Sequence, residues 1–133
     1  MRDFYFYTNR PITAKECFDS LNNEIKNIRG TNSPDEVQIS IIGKWRSYLW
    51  FYNDKFEDYA NFYENKEELE AEKNLIPIKD PYINFFEAYR STDVKRVLKV
   101  LMCIYPELYV SAEEDDPVWY GTAQEYIDTQ FDY

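Results

Sequence analysis

Along residues 2–8 apolar and polar positions fall in a two-residue period, with Phe4 and Phe6 on one side and Tyr5 and Tyr7 on the other, which predicts a first, aromatic-rich strand. After Pro11 the period changes. Ala14, Cys17, Phe18, Leu21, Ile25 and Ile28 recur at helical spacing, Thr13 and Glu16 offer a capping box, and Gly30 supplies the stop. The polar turn 31–36 precedes two β-rich runs, 37–44 and 46–53, separated by a short turn near Gly43 to Arg46, and the spacing predicts a hairpin. Residues 55–72, KFEDYANFYENKEELEAE, place Phe56, Tyr59 and Tyr63 at helical spacing and then become a solvated helical run. A turn at 77–81 leads to YINFFEAYR, whose alternation of Ile83, Phe85 and Glu87 with Asn84, Phe86 and Ala88 predicts another strand. Ser91, Thr92 or Asp93 then offers an N-cap to a second amphipathic helix carrying Val94, Val97, Leu98, Leu101, Ile104 and Tyr105, which Pro106 ends. A short strand at 108–112, an acidic turn and a short final helix within GTAQEYID complete the chain.

Strand, helix, three strands, helix and strand in that order predict an α+β domain. In it a mainly antiparallel sheet carries two amphipathic helices on one face, a ferredoxin-like arrangement with an extra strand. The 133 residues fit one domain, 1–133, and the 44% apolar content, much of it aromatic, is enough for a real core. No apolar run approaches the ~20 residues that span a bilayer, and the start of the chain lacks the apolar segment of a secretory signal, so the expectation is a cytoplasmic protein with no membrane partner. Cys17 and Cys103 lie in the apolar helical patterns without metal or redox spacing and are expected to be buried free thiols.

Charge changes the picture more than composition does. The net charge is −10, and it is localised: 100–133 hold eight carboxylates and no Lys or Arg, while 54–72 hold eight carboxylates and two lysines. The remaining 80 residues are therefore net positive. Concentrated like charge costs stability, so it is either a solvated face that keeps the protein soluble or a surface for a basic partner. Rings interleave with both acidic stretches, as they do in protein interfaces, although each ring also has a core to fill. The candidate partner-binding residues are Glu57, Asp58, Tyr59 and Tyr63 in the first stretch and Glu113, Glu114, Asp115, Asp116, Trp119 and Tyr120 in the second.

Reaction chemistry is sparse. The chain has no histidine, which removes the commonest general base, the histidine-dependent triads and most zinc sites. Three glycines, at 30, 43 and 121, build neither a P-loop nor a dinucleotide fingerprint. Glu113 with Asp116 could do acid/base work or hold calcium, but the calcium-loop spacing is missing, and no catalytic residue, cofactor or metal site is expected. Direct nucleic-acid binding is not expected either, because Arg90, Lys95, Arg96 and Lys99 form the one small basic cluster on an otherwise repelling chain.

The segment VLKVLMCIYPELYVSAEEDDPVWYGTAQEYID has a helix ending in Tyr-Pro, a short strand, an acidic turn, Gly121 and the Glu125-Tyr126 pair. It resembles the C-terminal part of small immunity proteins from bacterial polymorphic-toxin and contact-dependent growth inhibition systems. The resemblance covers about a quarter of the chain and implies a non-enzymatic cytoplasmic protein that binds and neutralises one cognate toxin domain, often a basic nuclease. A phage-encoded nucleic-acid mimic, such as an anti-CRISPR protein, would use the same carboxylates in place of phosphates, and a small scaffold domain is a third reading.

Overall fold

The computed structural model describes residues 2–25, 28–30, 38–41, 47–55, 66–113, 115 and 117–131. Among them are seven strands, β1 (Arg2–Thr8), β2 (Ile28–Gly30), β3 (Gln38–Ile41), β4 (Ser47–Lys55), β5 (Tyr82–Ala88), β6 (Tyr109–Ala112) and β7 (Trp119–Thr122). Four helices join them: α1 (Ala14–Glu24), α2 (Lys66–Asn74), α3 (Ser91–Ile104) and α4 (Ala123–Ile127). The strands form one sheet of order β2-β3-β4-β5-β1-β6-β7 in which every pairing is antiparallel.

The expected α+β arrangement is present at the centre of this sheet. β4 and β1 run parallel with β5 between them, and β5 and β6 run parallel with β1 between them, because each flanks its neighbour antiparallel. The helices α1 and α3 make these two crossovers, so β1-α1-β4-β5-α3-β6 is an interleaved pair of split βαβ units, the ferredoxin-like pattern. The additions lie at the edges: β2 and β3 extend the sheet beyond β4, and β7 with α4 extends it beyond β6.

The pleat sorts the side chains. Phe4 and Phe6 of β1, Leu49 and Phe51 of β4, Phe86 and Ala88 of β5, and Val110 and Ala112 of β6 point to one face and are at most 2% exposed. Cys17 and Leu21 of α1 and Val94, Val97, Leu98 and Leu101 of α3 close over them at the i, i+3, i+4, i+7 positions that make one helical face. Tyr126 of α4 completes this layer, meeting Phe4 edge-on at 5.7 Å. On the other face a smaller cluster joins Tyr7, Ile83, Ile76 and Ile78, with Leu69 of α2 and Tyr109 packed against it. α2 therefore belongs to the opposite side of the sheet from α1 and α3.

Several boundaries differ from the sequence reading, each for a physical reason. The first helix ends at Glu24 rather than near Gly30, and Ile25 and Ile28 enter the same core from an extended cap and from β2. Their burial satisfies the apolar pattern in a different backbone, since a short apolar run does not distinguish the two. Arg90, not Ser91 to Asp93, is the N-cap of α3, and the buried Ser91 hydroxyl donates to the Phe131 carbonyl at 2.9 Å. Lys95 donates to the carbonyls of Thr129 (2.7 Å) and Phe131 (3.0 Å), so part of the basic cluster ties down the C-terminal segment. Cys17 is buried and free, as expected, whereas Cys103 is exposed because α3 turns it away from the sheet. The turn near Gly43 to Arg46 and the rings Phe56, Tyr59 and Tyr63 lie outside the described residues.

A pair of amides, Asn84 buried and Asn53 half-buried, fixes the centre. From Trp50 to Asp54 β4 takes four steps while β5 takes two, from Phe85 to Ile83, so β4 bulges. Asn53 occupies the bulge with φ of 51°, a left-handed conformation that asparagine tolerates. Its backbone N–H donates to Asn84 Oδ1 (2.8 Å) and Asn84 Nδ2 donates to Asn53 Oδ1 (3.0 Å). The same side chain brackets Ile12 at the entrance to α1, accepting from its N–H (2.8 Å) and donating to its carbonyl (2.9 Å). Asn84 is 1% exposed, and Asn84→Ala removes the acceptor of the half-buried Asn53 N–H and one of the two donors to Asn53 Oδ1. Urea unfolding is expected to show a loss of about 2–4 kcal/mol; a loss within the error of a surface substitution would show that the pair does not hold the bulge.

Candidate functional site: the acidic and aromatic sheet face

The face of the sheet turned away from α1 and α3 carries the candidate site. β1 contributes Asp3, Tyr5 and Tyr7 to it, β5 contributes Ile83, Phe85 and Glu87, and β6 contributes Tyr109 and Ser111, each set spaced by two. Register then sets the rows. Glu87 lies opposite Asp3, Phe85 opposite Tyr5, and Tyr5 opposite Ser111. Glu113 follows as the backbone leaves β6, its N–H donating to the Asp3 carbonyl at 3.1 Å.

A hydrogen-bonded chain runs through this face. Ser111 Oγ donates to Glu113 Oε1 at 2.6 Å, which leaves its oxygen to accept from the Tyr7 hydroxyl at 2.9 Å. Tyr120 of β7 donates its hydroxyl to Glu72 Oε1 of α2 at 3.0 Å. The two acidic stretches of the sequence therefore meet at Glu72 and Tyr120. Burial raises the Glu113 carboxyl above its ordinary value, the Ser111 hydrogen bond opposes this, and the charges of Glu72 and Asp3 add to the rise. Tyr5 is raised by burial and then by Glu113, Asp3 and Glu72, so one phenol senses all three carboxylates. Tyr7 and Tyr120 are also raised, first by burial and, for Tyr120, next by the Glu72 charge.

The residues singled out in the sequence separate in space. Tyr120 and Glu113 lie on this face. Trp119 does not: as the neighbour of Tyr120 on a strand it points the other way, into the helical layer, where it meets Tyr126 edge-on at 5.3 Å and Phe131 at 6.3 Å. It is half-buried there, packed against the core from the side opposite to Tyr120. Asp115 is bound within the fold, its Oδ1 accepting from Arg2 Nη1 at 3.0 Å. Glu57, Asp58, Tyr59, Tyr63, Glu114 and Asp116 lie outside the described residues. Asp3, Glu72, Glu87, Tyr5 and Tyr7 were missed as site residues; the signal for them was the two-residue alternation of β1 and β5, which already placed Tyr5 and Tyr7 on the side away from Phe4 and Phe6.

Among the described residues no group of carboxylates and thiols has the arrangement of a metal site, and no buried side-chain polar atom lacks a hydrogen-bond partner. No described helix is long and apolar enough to cross a membrane. Comparison with protein-family models, with curated proteins and with solved structures gives no match for this chain.

Two outcomes follow from this geometry. Because folding raises the Glu113 carboxyl, the folded chain holds that proton more tightly than the unfolded one. Its contribution to stability is complete below the ordinary value of 4.5 and is lost as pH rises through the raised value. Glu113→Gln keeps an acceptor for Ser111 and carries no charge, so it is expected to melt at a higher temperature than the parent at neutral pH, with the gap closing toward pH ~4. Parallel melting curves for the two proteins across that range would remove the buried charge from the account. At Gly121 an added Cβ would sit 2.5 Å from Trp119 Cη2, so Gly121→Ala is expected to cost about 1–3 kcal/mol and to change the near-ultraviolet circular dichroism of the Trp119 cluster.

Proposed function

We propose that this protein is a non-enzymatic, immunity-type inhibitor acting in the cytoplasm, which binds a basic toxin domain and neutralises it through the acidic and aromatic face of its sheet. The observation that carries the reading is the meeting of the two acidic stretches, through Tyr120 and Glu72, beside Glu113 and Asp3 on one face. Charge distributed over separate parts of the surface would favour simple solubility; charge gathered around Tyr5, Tyr7 and Tyr120 favours a partner whose own surface is basic.

Support for a binding role over a catalytic one comes from how the polar groups are engaged. The hydroxyls and carboxylates of this face bond to one another in chains, Tyr7 to Ser111 to Glu113 and Tyr120 to Glu72, an arrangement suited to holding a rigid surface. With no histidine in the chain, proton transfer would fall to these phenols and carboxylates, and the phenols are shifted away from neutral pH.

A basic protein that co-purifies with the chain and is identified by mass spectrometry is expected to be a toxin whose activity falls stoichiometrically as the chain is added. Its association rate is expected to drop about tenfold or more between low and high salt, with a smaller change in dissociation rate, and to fall further for the double variant Asp3→Asn, Glu113→Gln. A salt-independent association rate, or turnover of a substrate that Glu113→Gln abolishes, would overturn the reading. A nucleic-acid-binding effector as the partner would select the phage-mimic alternative instead.

A further inference from the structure

On the same sheet face four rings stand side by side across β4, β5 and β1. Tyr48 stacks on Trp50 with centroids 5.5 Å apart and 25° between planes, Trp50 stacks on Phe85 at 5.3 Å and 27°, and Phe85 meets Tyr5 at 5.7 Å and 49°. All four are half-buried, in contrast to Phe4, Phe6 and Phe86 on the helical face, which are at most 1% exposed. Tyr52, two residues beyond Trp50 on β4, is 61% exposed. Along the upper margin of the row lie carboxylates in register: Glu87 is directly opposite Tyr48 on one side and Asp3 on the other, and Glu113 follows next to Asp3.

We propose that this aromatic row and its carboxylate margin form the docking surface for an arginine-bearing segment of the partner, a proposal that rests on the reading of the partner as a basic protein. Rings on a sheet face can also stack the bases of single-stranded nucleic acid. Charge decides between the two, because Glu87, Asp3 and Glu113 beside the rings, in a chain of net charge −10, repel phosphates and attract cations. Arginine fits better than lysine. Its planar, weakly hydrated guanidinium stacks on π surfaces and pairs with a carboxylate through two parallel hydrogen bonds, so one side chain engages both the ring row and its margin. Glu87 and Asp3 lie directly opposite each other in the ladder, so a guanidinium placed at this margin has more than one carboxylate within its reach.

The test uses the full chain and three labelled probes, a nona-arginine peptide, a nona-lysine peptide and a ten-residue oligothymidine, with fluorescence anisotropy at about physiological ionic strength. The arginine peptide is expected to bind, and the lysine peptide several-fold more weakly. Trp50→Leu, which keeps apolar volume and removes the π surface, is expected to weaken arginine binding about tenfold, and Trp50→Phe by no more than about threefold. Glu87→Gln is expected to lower affinity by about threefold to tenfold, while Asp128→Asn, an equal change of charge on the distant α4 cap, leaves it unchanged. Near-ultraviolet circular dichroism establishes that each variant is folded, and if Trp50→Leu is not, Glu87→Gln against Asp128→Asn decides. Equal losses for those two charge variants, arginine binding indifferent to Trp50, Trp50-dependent binding of oligothymidine, or a dimer in sedimentation that Trp50→Leu dissolves would each overturn the docking surface. The first two of these leave the basic-partner reading standing, because they place the same cationic probe elsewhere on the chain.

Discussion

The sheet depends on the reciprocal amide pair Asn53–Asn84. A central strand cannot lose its register in the middle without leaving backbone groups unpaired, and β4 does so between Trp50 and Asp54. The Asn53 side chain replaces the missing ladder in two directions, toward Asn84 on β5 and toward Ile12 at the start of α1. One residue in a left-handed conformation thereby ties β4, β5 and the β1–α1 connection together. Up to the bulge the regular pleat holds, so Leu49 and Phe51 stay in the helical layer while Tyr48 and Trp50 reach the opposite face beside Phe85.

That division into two faces is also the division between stability and the proposed function. The helical face is a close-packed layer whose members are nearly all inaccessible, and the apolar area removed from water there is the main stabilising term. The other face has a smaller apolar cluster, capped by α2 and the segment carrying Ile76 and Ile78, and otherwise presents phenols, carboxylates and half-buried rings. β7 states the division in two adjacent residues. Trp119 enters the helical layer, close over Gly121, and Tyr120 turns to the acidic face and bonds Glu72.

Much of this was legible along the chain. The alternation in β1 and β5, the helical spacing of Val94, Val97, Leu98 and Leu101, and the charge gathered in two stretches follow from one-dimensional patterns, and they led to the α+β class and to an acidic, aromatic surface. Less legible were β2, whose Ile28 also fits the helical spacing that runs through α1, and β7, which follows an acidic turn and leads directly into a helix. The site itself was half visible. Glu113 and Tyr120 were singled out from their charged surroundings, whereas Asp3, Glu72 and Glu87 gain their meaning from register and from the docking of α2, neither of which is a local property.

A pair of matching tetrapeptides marks the boundary between what sequence determines and what the tertiary structure decides. Thr13-Ala14-Lys15-Glu16 and Thr122-Ala123-Gln124-Glu125 share the Thr-Ala-x-Glu pattern, and both open a helix, as the pattern requires. At α4 the reciprocal box forms, with Glu125 N–H donating to Thr122 Oγ1 (3.1 Å) and Thr122 N–H to Glu125 Oε1 (3.0 Å). At α1 it does not, because the Thr13 N–H already donates to the Tyr105 hydroxyl from the end of α3 (3.2 Å). Glu16 therefore accepts from the Thr13 hydroxyl (3.0 Å) and faces Arg10 (3.6 Å), whose guanidinium lies over the Tyr105 ring. The local sequence determined that a helix begins at each site; which donor the N-cap satisfies was decided by a residue 92 positions away, because only the packed structure brings that hydroxyl within reach.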